Sequence, residues 1–97
     1  MSQTRRQELV DLLSRGEISF DRLRRELGIS VRLLDDDLHH IARSLRRGPK
    51  RLVVTPPRCG SCGFTFGERK HYHTPSRCPR CRHESIHATR LRVEVSG

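Results

Sequence analysis

Three short amphipathic helical stretches followed by two strand-like stretches predict an α+β fold, and two pairs of cysteines fall between the strands. Leu9, Leu12 and Leu13 share one face of a stretch from Thr4 to Ser14, with Val10 at its edge. Phe20, Leu23 and Leu27 form a stripe on a second stretch. Val31, Leu34, Leu38, Ile41 and Leu45, widened by Ala42, form the seam of a third that runs to about Arg46. The period then changes: Arg51–Thr55 is β-branched, and Leu91–Val95 alternates with a period of two.

Turn and capping residues punctuate these stretches. Thr4 is placed to cap the first helix, with Gln7 completing a capping box, and Gly16 to end it. Ser19 and Ser30 occupy N-cap positions of the second and third helices, and Gly28 between them is free to take positive φ. Gly48-Pro49 stops the third helix. Three amphipathic helices also suit a plain small bundle, but two short helices joined by a glycine-containing turn behind a packing helix match a helix-turn-helix core. The two strands decide between these readings, because they can pair antiparallel as a two-stranded wing. Ile86 and Ala88 alternate in a frame that slips by one at Arg90-Leu91, which predicts a bulge there. The expected architecture is a winged helix-turn-helix with an insertion in its wing. Residues 1–56 form the core and first wing strand, 57–85 the insertion, and 86–97 the returning wing strand.

The insertion holds Cys59-Gly60-Ser61-Cys62 and Cys78-Pro79-Arg80-Cys81, a C-x2-C-x15-C-x2-C pattern. Two residues between cysteines let the backbone curl into a knuckle that aims both sulfurs at one point. Two such knuckles supply four thiolates at a Zn–S distance of about 2.3 Å and leave no coordination position for a catalytic water. Cys59, Cys62, Cys78 and Cys81 are therefore the expected ligands of one structural Zn2+ per chain. Two disulfides are the alternative, but Met1-Ser2-Gln3-Thr4-Arg5-Arg6 leads into a charged helix with no apolar signal core behind it. Iron is the harder rival, since rubredoxin knuckles have the same spacing and Gly63 fits their usual glycine. Arg82 stands where the second knuckle would want glycine, and the chain is basic, so zinc is favoured over iron.

Composition limits what the chain can do. Only 33% of its 97 residues are hydrophobic and none is Trp, so the apolar core is lean and the ribbon depends on metal for stability. No stretch approaches the roughly 20 apolar residues of a membrane span. Free thiols imply a reducing, cytoplasmic setting. The formal charge is +9, with 11 basic and 8 acidic residues in 1–50 but 9 and 3 in 51–97. A polyanion, most simply DNA, is the expected partner, and no membrane is.

Arg32, Arg43 and Arg46 on the third helix, with Arg58, Arg69, Lys70, Arg77, Arg80 and Arg82 around the knuckles, are the candidate nucleic-acid contacts. Asp35, Asp36 and Asp37 oppose this on the third helix. Asp36 falls almost opposite the apolar seam, with Arg32 as its expected i−4 ion-pair partner, and the triplet lowers the potential where a major-groove contact would form. Phe64 and Phe66 are expected to cover the metal site rather than stack bases. His71, His73, His83 and His87 are expected at the surface, because four cysteines already saturate a tetrahedral ion. His39 and His40 lie on the polar side of the third helix with no catalytic role. No nucleophile–base set, phosphate loop or paired carboxylates can be read, so an enzyme is not expected.

Thr4-Arg5-Arg6 with Leu12-Leu13, Leu38 through Leu45, Cys59-x-x-Cys62-Gly63-Phe64 and Pro75-Ser76-Arg77-Cys78-Pro79-x-Cys81 give the chain a further likeness. It resembles, over nearly its whole length, a family of prokaryotic predicted transcriptional regulators that join a winged helix-turn-helix to a rubredoxin-like zinc ribbon. That resemblance implies an all-protein zinc site and a DNA-binding regulator of transcription. Two other function classes stand beside it: a protein-interaction module of the transcription machinery that does not use the third helix on DNA, and a rubredoxin-like electron carrier. A homodimer is compatible with either binding role.

Overall fold

The computed structural model describes residues 2–67 and 71–95, with side chains from residue 5 onward. Its elements in order are helix α1 (Ser2–Arg15), strand β1 (Ile18–Ser19), helices α2 (Phe20–Leu27) and α3 (Val31–Leu45), then strands β2 (Lys50–Thr55), β3 (Arg58–Cys59), β4 (Ile86–His87) and β5 (Arg90–Val95). The side chain of Thr4, expected to cap α1, lies outside the described residues, as do Arg69 and Lys70. The two serine caps form as expected: Ser19 Oγ accepts the Arg22 N–H at 3.2 Å and Ser30 Oγ the Leu33 N–H at 3.1 Å. Between α2 and α3, Gly28 has φ 63°, and the N–H groups of Gly28 and Ile29 close on the carbonyls of Arg25 and Arg24. Gly16 ends α1 without this device, since its φ is not positive.

Leu9 and Leu13 of α1, Phe20 and Leu23 of α2, and Leu34, Leu38 and Ile41 of α3 form one buried cluster with Leu91 and Val93 of β5. The seam read from the sequence is thus the core, except at its first residue, because Val31 is exposed at the start of α3. Leu91 and Val93 point inward because β5 alternates, while Arg90, Arg92 and Glu94 take the other face.

β2 and β5 pair antiparallel over their full lengths, from Lys50 opposite Val95 to Thr55 opposite Arg90. The sheet has three strands rather than the expected two. β1 adds to the other side of β5, with Ile18 opposite Leu91, giving the order β1-β5-β2. A two-residue strand is too short to show alternation, which is why the sequence did not reveal it. Nor is there a bulge at Arg90-Leu91. Ile86–His87 pairs with Arg58–Cys59 in a separate two-stranded sheet, so the slip in frame marks where the chain leaves one sheet for the other. The strand returning to β2 therefore starts at Arg90, not at Ile86. Between the paired ends of β2 and β5 lies the cysteine-bearing segment.

Candidate metal centre and basic surface

The two cysteine knuckles have the same backbone design. In the first, Cys59 N–H donates to the Phe64 carbonyl at 2.8 Å and Gly63 N–H to the Cys59 carbonyl at 3.1 Å. In the second, Cys78 N–H donates to the His83 carbonyl at 2.9 Å and Arg82 N–H to the Cys78 carbonyl at 2.9 Å. Each turn closes on a residue with positive φ, Gly63 at 77° and Arg82 at 62°. Arg82 therefore adopts the conformation of the missing glycine, and its identity does not distinguish zinc from iron. A side chain held in this region costs on the order of 1 kcal/mol. Arg82→Gly should accordingly raise ribbon stability by about 0.5–1 kcal/mol, measurable as a higher melting temperature of the zinc-loaded protein. An unchanged or lower value would mean that the arginine side chain itself stabilises the turn.

The four sulfurs all lie within 4.8 Å of one another. Cys59 Sγ is 3.5 Å from Cys81 Sγ, and Cys62 Sγ is 3.6 Å from Cys78 Sγ. Tetrahedral ligands at about 2.3 Å from zinc would stand about 3.8 Å apart, so these two separations are close to those of ligands to one ion. Backbone N–H groups already face the sulfurs: those of Ser61 and Cys62 toward Cys59 at 3.4 and 3.5 Å, and that of Arg80 toward Cys78 at 3.4 Å. The N–H groups of Cys62 and then Ser61 bring the Cys59 thiol down to about 6. Burial opposes ionisation of Cys78, yet the N–H groups of Cys81 and Arg80 hold its thiol below the usual value. These bonds favour thiolate, the form a metal requires, at Cys59 and Cys78. At Cys62 the Phe64 N–H acts the same way, but burial and the neighbouring sulfurs of Cys78, Cys81 and Cys59 push the thiol up to about 12 when no ion shares their charge.

Cys59 and Cys78 are buried, Cys81 is half-buried and Cys62 is exposed. Phe66 is buried against the first two, Phe64 and Ile86 pack beside them, and the two phenyl rings meet edge-to-face at 5.1 Å. These aromatics cover the metal site. They do so from a segment held to the first knuckle by an isolated bridge between Thr65 and Arg58, with the Phe66 N–H donating to the Pro57 carbonyl at 3.0 Å. Gly60 sits where a Cβ would come within 3.0 Å of the Ser85 carbonyl, to which its own N–H donates at 2.7 Å. This close approach ties the first knuckle to the segment after the second.

The candidate basic residues divide by whether a carboxylate already holds them. Arg77 faces Glu84 at 3.7 Å. On the exposed face of the three-stranded sheet, Arg51 and Arg92 share Glu94, and Arg90 faces Glu17. Arg32, Arg43 and Arg46 on or just after α3, and Arg58, Arg80 and Arg82 on the ribbon, are all exposed. Among the described residues, none of these six has a carboxylate partner.

The three aspartates of α3 do not form the exposed acidic triplet expected. Asp37 is 1% exposed and accepts from Arg5 Nε at 2.5 Å and Arg6 Nε at 3.2 Å, both reaching over from α1. Burial alone would raise its carboxyl, but Arg5 and then Arg6 more than reverse this and hold it below the usual value. Asp35 is 6% exposed and accepts the Tyr72 N–H at 2.6 Å. Asp36 alone is exposed, and the expected ion pair with Arg32 is not among the described contacts. These buried anchors could have been found on the helical wheel. Asp37 is three residues after Leu34 and four before Ile41, and Asp35 is three before Leu38, so both flank the seam.

A three-helix α+β unit carrying a rubredoxin-like zinc ribbon is the class that this fold and metal centre define. The family models agree: PF0610-like, N-terminal, matches residues 4–53, and the PF0610 rubredoxin-like zinc beta-ribbon domain matches residues 56–96. The solution NMR structure of protein PF0610 from Pyrococcus furiosus is similar at 34% identity, over 97% of this chain and 91% of that one, with a TM-score of 0.79. The chain belongs to the PF0610-like family and binds one zinc ion. No curated protein matches it. No helix among the described residues is long and apolar enough to cross a membrane.

Proposed function

We propose that the chain is a DNA-binding regulator of transcription, a winged helix-turn-helix whose zinc ribbon is a second surface for the phosphate backbone. The order of elements supports the winged reading: α1, β1, α2, α3 and then the hairpin-like pair β2 and β5, with β1 completing the sheet. In this reading α2 and α3 are the helix-turn-helix, and the ribbon is an insertion at the tip of the wing. It is a binding module and not an enzyme.

The observation that carries the proposal is the set of exposed arginines, on α3 and on the ribbon, that have no carboxylate partner among the described residues. With Asp35 and Asp37 turned inward, the exposed part of α3 sets Arg32 and Arg43 against Asp36 alone. The arginines of the three-stranded sheet are matched by glutamates, so of ribbon and wing it is the ribbon that carries the arginines without a carboxylate partner among the described residues. Each phosphate contact contributes about 0.9 to the slope of log K against log salt on duplex DNA. Zinc-loaded protein should bind random duplex at low salt, and Arg58→Ala with Arg80→Ala should flatten the slope by about 1.8. Asp36→Ala should leave binding intact or strengthen it. Wild-type binding with an unchanged slope in the double variant would remove the ribbon from the interface.

One observation favours a second class, a docking module for another protein of the transcription machinery. Val31 and Leu33 are exposed apolar residues at the start of α3, where a DNA reader places groups that meet base edges. Absence of duplex binding at low salt, with retained zinc, would select this reading.

A further inference from the structure

We propose that Asp35, His39 and His71 form a second zinc site, distinct from the tetrathiolate, that joins α3 to the segment leading through the ribbon. Asp35 and His39 stand four residues apart on one face of α3, and His71 comes across from the chain between the knuckles. The ligating atoms of the three lie within 4.8 Å of one another. Asp35 Oδ2 is 3.0 Å from His71 Nδ1 and 3.5 Å from His39 Nε2. Donors at about 2.0–2.1 Å from a tetrahedral zinc stand about 3.3–3.4 Å apart, so the His39 separation matches ligands to one ion, and the Asp35–His71 hydrogen bond needs to open by only about 0.3–0.4 Å to admit it.

The surroundings already orient these ligands. Asp35 Oδ1 is taken by the Tyr72 N–H at 2.6 Å, which leaves Oδ2 to face both imidazoles. The Tyr72 ring lies against His39 with centroids 4.7 Å apart and fixes the plane of that imidazole. Such outer contacts are what hold metal-binding carboxylates and histidines in place. Charge points the same way. Buried Asp37 is matched by two permanent cations, Arg5 and Arg6, whereas Asp35, buried beside it on the same helix, faces only imidazoles among the described residues. A divalent ion would supply the missing positive charge. Two nitrogens and one carboxylate oxygen suit zinc, and the exposed sides of His39 and His71 leave a fourth position for water.

The test starts from protein whose ribbon zinc is already bound. Equilibrium dialysis against zinc should find two equivalents per chain in the wild type. His39→Ala, His71→Ala and their double variant should keep the first equivalent and bind the second at least about 10-fold more weakly. His71 is exposed and His39 half-buried at the edge of Tyr72, outside the apolar core, and the retained first equivalent verifies that the variants fold. Added zinc should also raise the melting temperature of the wild type and leave that of the double variant unchanged. His83→Ala, at an exposed histidine of the ribbon, should behave as wild type. A single equivalent in the wild type at free zinc on the order of 0.1 mM would overturn the site. So would a second equivalent that persists in the double variant, because it would belong to other surface histidines.

Discussion

Cys78→Ser should abolish zinc binding at the cysteine site and unfold the ribbon, while the helices keep most of their far-UV signal. In comparable small fingers, zinc contributes apparent binding energies on the order of 10–16 kcal/mol at neutral pH, and that energy is folding energy. The ribbon has little else, since its apolar cluster is Phe64, Phe66 and Ile86 around the cysteines. The helical core is separate: Leu9, Leu13, Phe20, Leu23, Leu34, Leu38, Ile41, Leu91 and Val93 include no metal ligand. It would still be weakened. With the ribbon unfolded, β2 and β5 must pair across a loose loop of 34 residues, Pro56 to Thr89, for a closure cost of about 3 kcal/mol. Contacts from the returning segment are also lost, including Thr74 Oγ1 accepting the Thr89 N–H at 3.2 Å. Zinc per chain from emission spectroscopy and the circular dichroism melt check both halves. Full zinc retention would remove Cys78 from the site, and complete loss of helix would mean that the core cannot stand without the ribbon.

Asp37→Ala should destabilise the helical core by about 2–4 kcal/mol, a little under the roughly 3–5 kcal/mol of breaking a fully buried ion pair, because Arg5 and Arg6 are left partly in water. The same pairing predicts how acid acts. A carboxyl held below its unfolded value of about 3.9 contributes stability that is fully present above that value and is lost as pH falls through the folded one. Asp35 adds to this in the same direction: burial raises its carboxyl, and the Tyr72 N–H, His71 and His39 more than reverse it. Wild-type stability should therefore fall steeply below about pH 4, and Asp37→Ala should flatten that fall while starting from a lower value. Urea melts followed by far-UV circular dichroism isolate the helices from loss of ribbon zinc in acid. Equal slopes in the two proteins would show that Asp37 is not the group being titrated.

The parts of the fold that follow from short-range rules were legible in the sequence. The serine caps, the Gly28 turn and the seam of α3 each rest on residues within four positions of one another. The pairing of β2 with β5 is long-range, but two strand-like segments on either side of the cysteines leave few other partners. The cysteine cluster was legible because metal geometry imposes its own spacing. What escaped was set by packing between elements. Strand β1 is two residues long, and Ile86–His87 joined the ribbon sheet because Arg58–Cys59 offered it an edge. The inward turn of Asp35 and Asp37 depended on Arg5, Arg6 and Tyr72, which are more than 30 residues away in sequence. The exposed face of α3 is therefore less acidic than three consecutive aspartates suggest. Arg82 misled in the opposite sense, because its backbone took the glycine conformation despite its side chain.

Amide mapping of the zinc-loaded, 15N-labelled protein with a short random duplex at low salt tests most directly whether the ribbon and α3 together engage DNA. A joint interface predicts shifts concentrated at Arg58–Gly63, at Arg77–His83 and along the exposed side of α3 from Arg32 to Arg43, fading as salt is raised. Unmoved ribbon amides, with every shift confined to the helices or absent altogether, would contradict it.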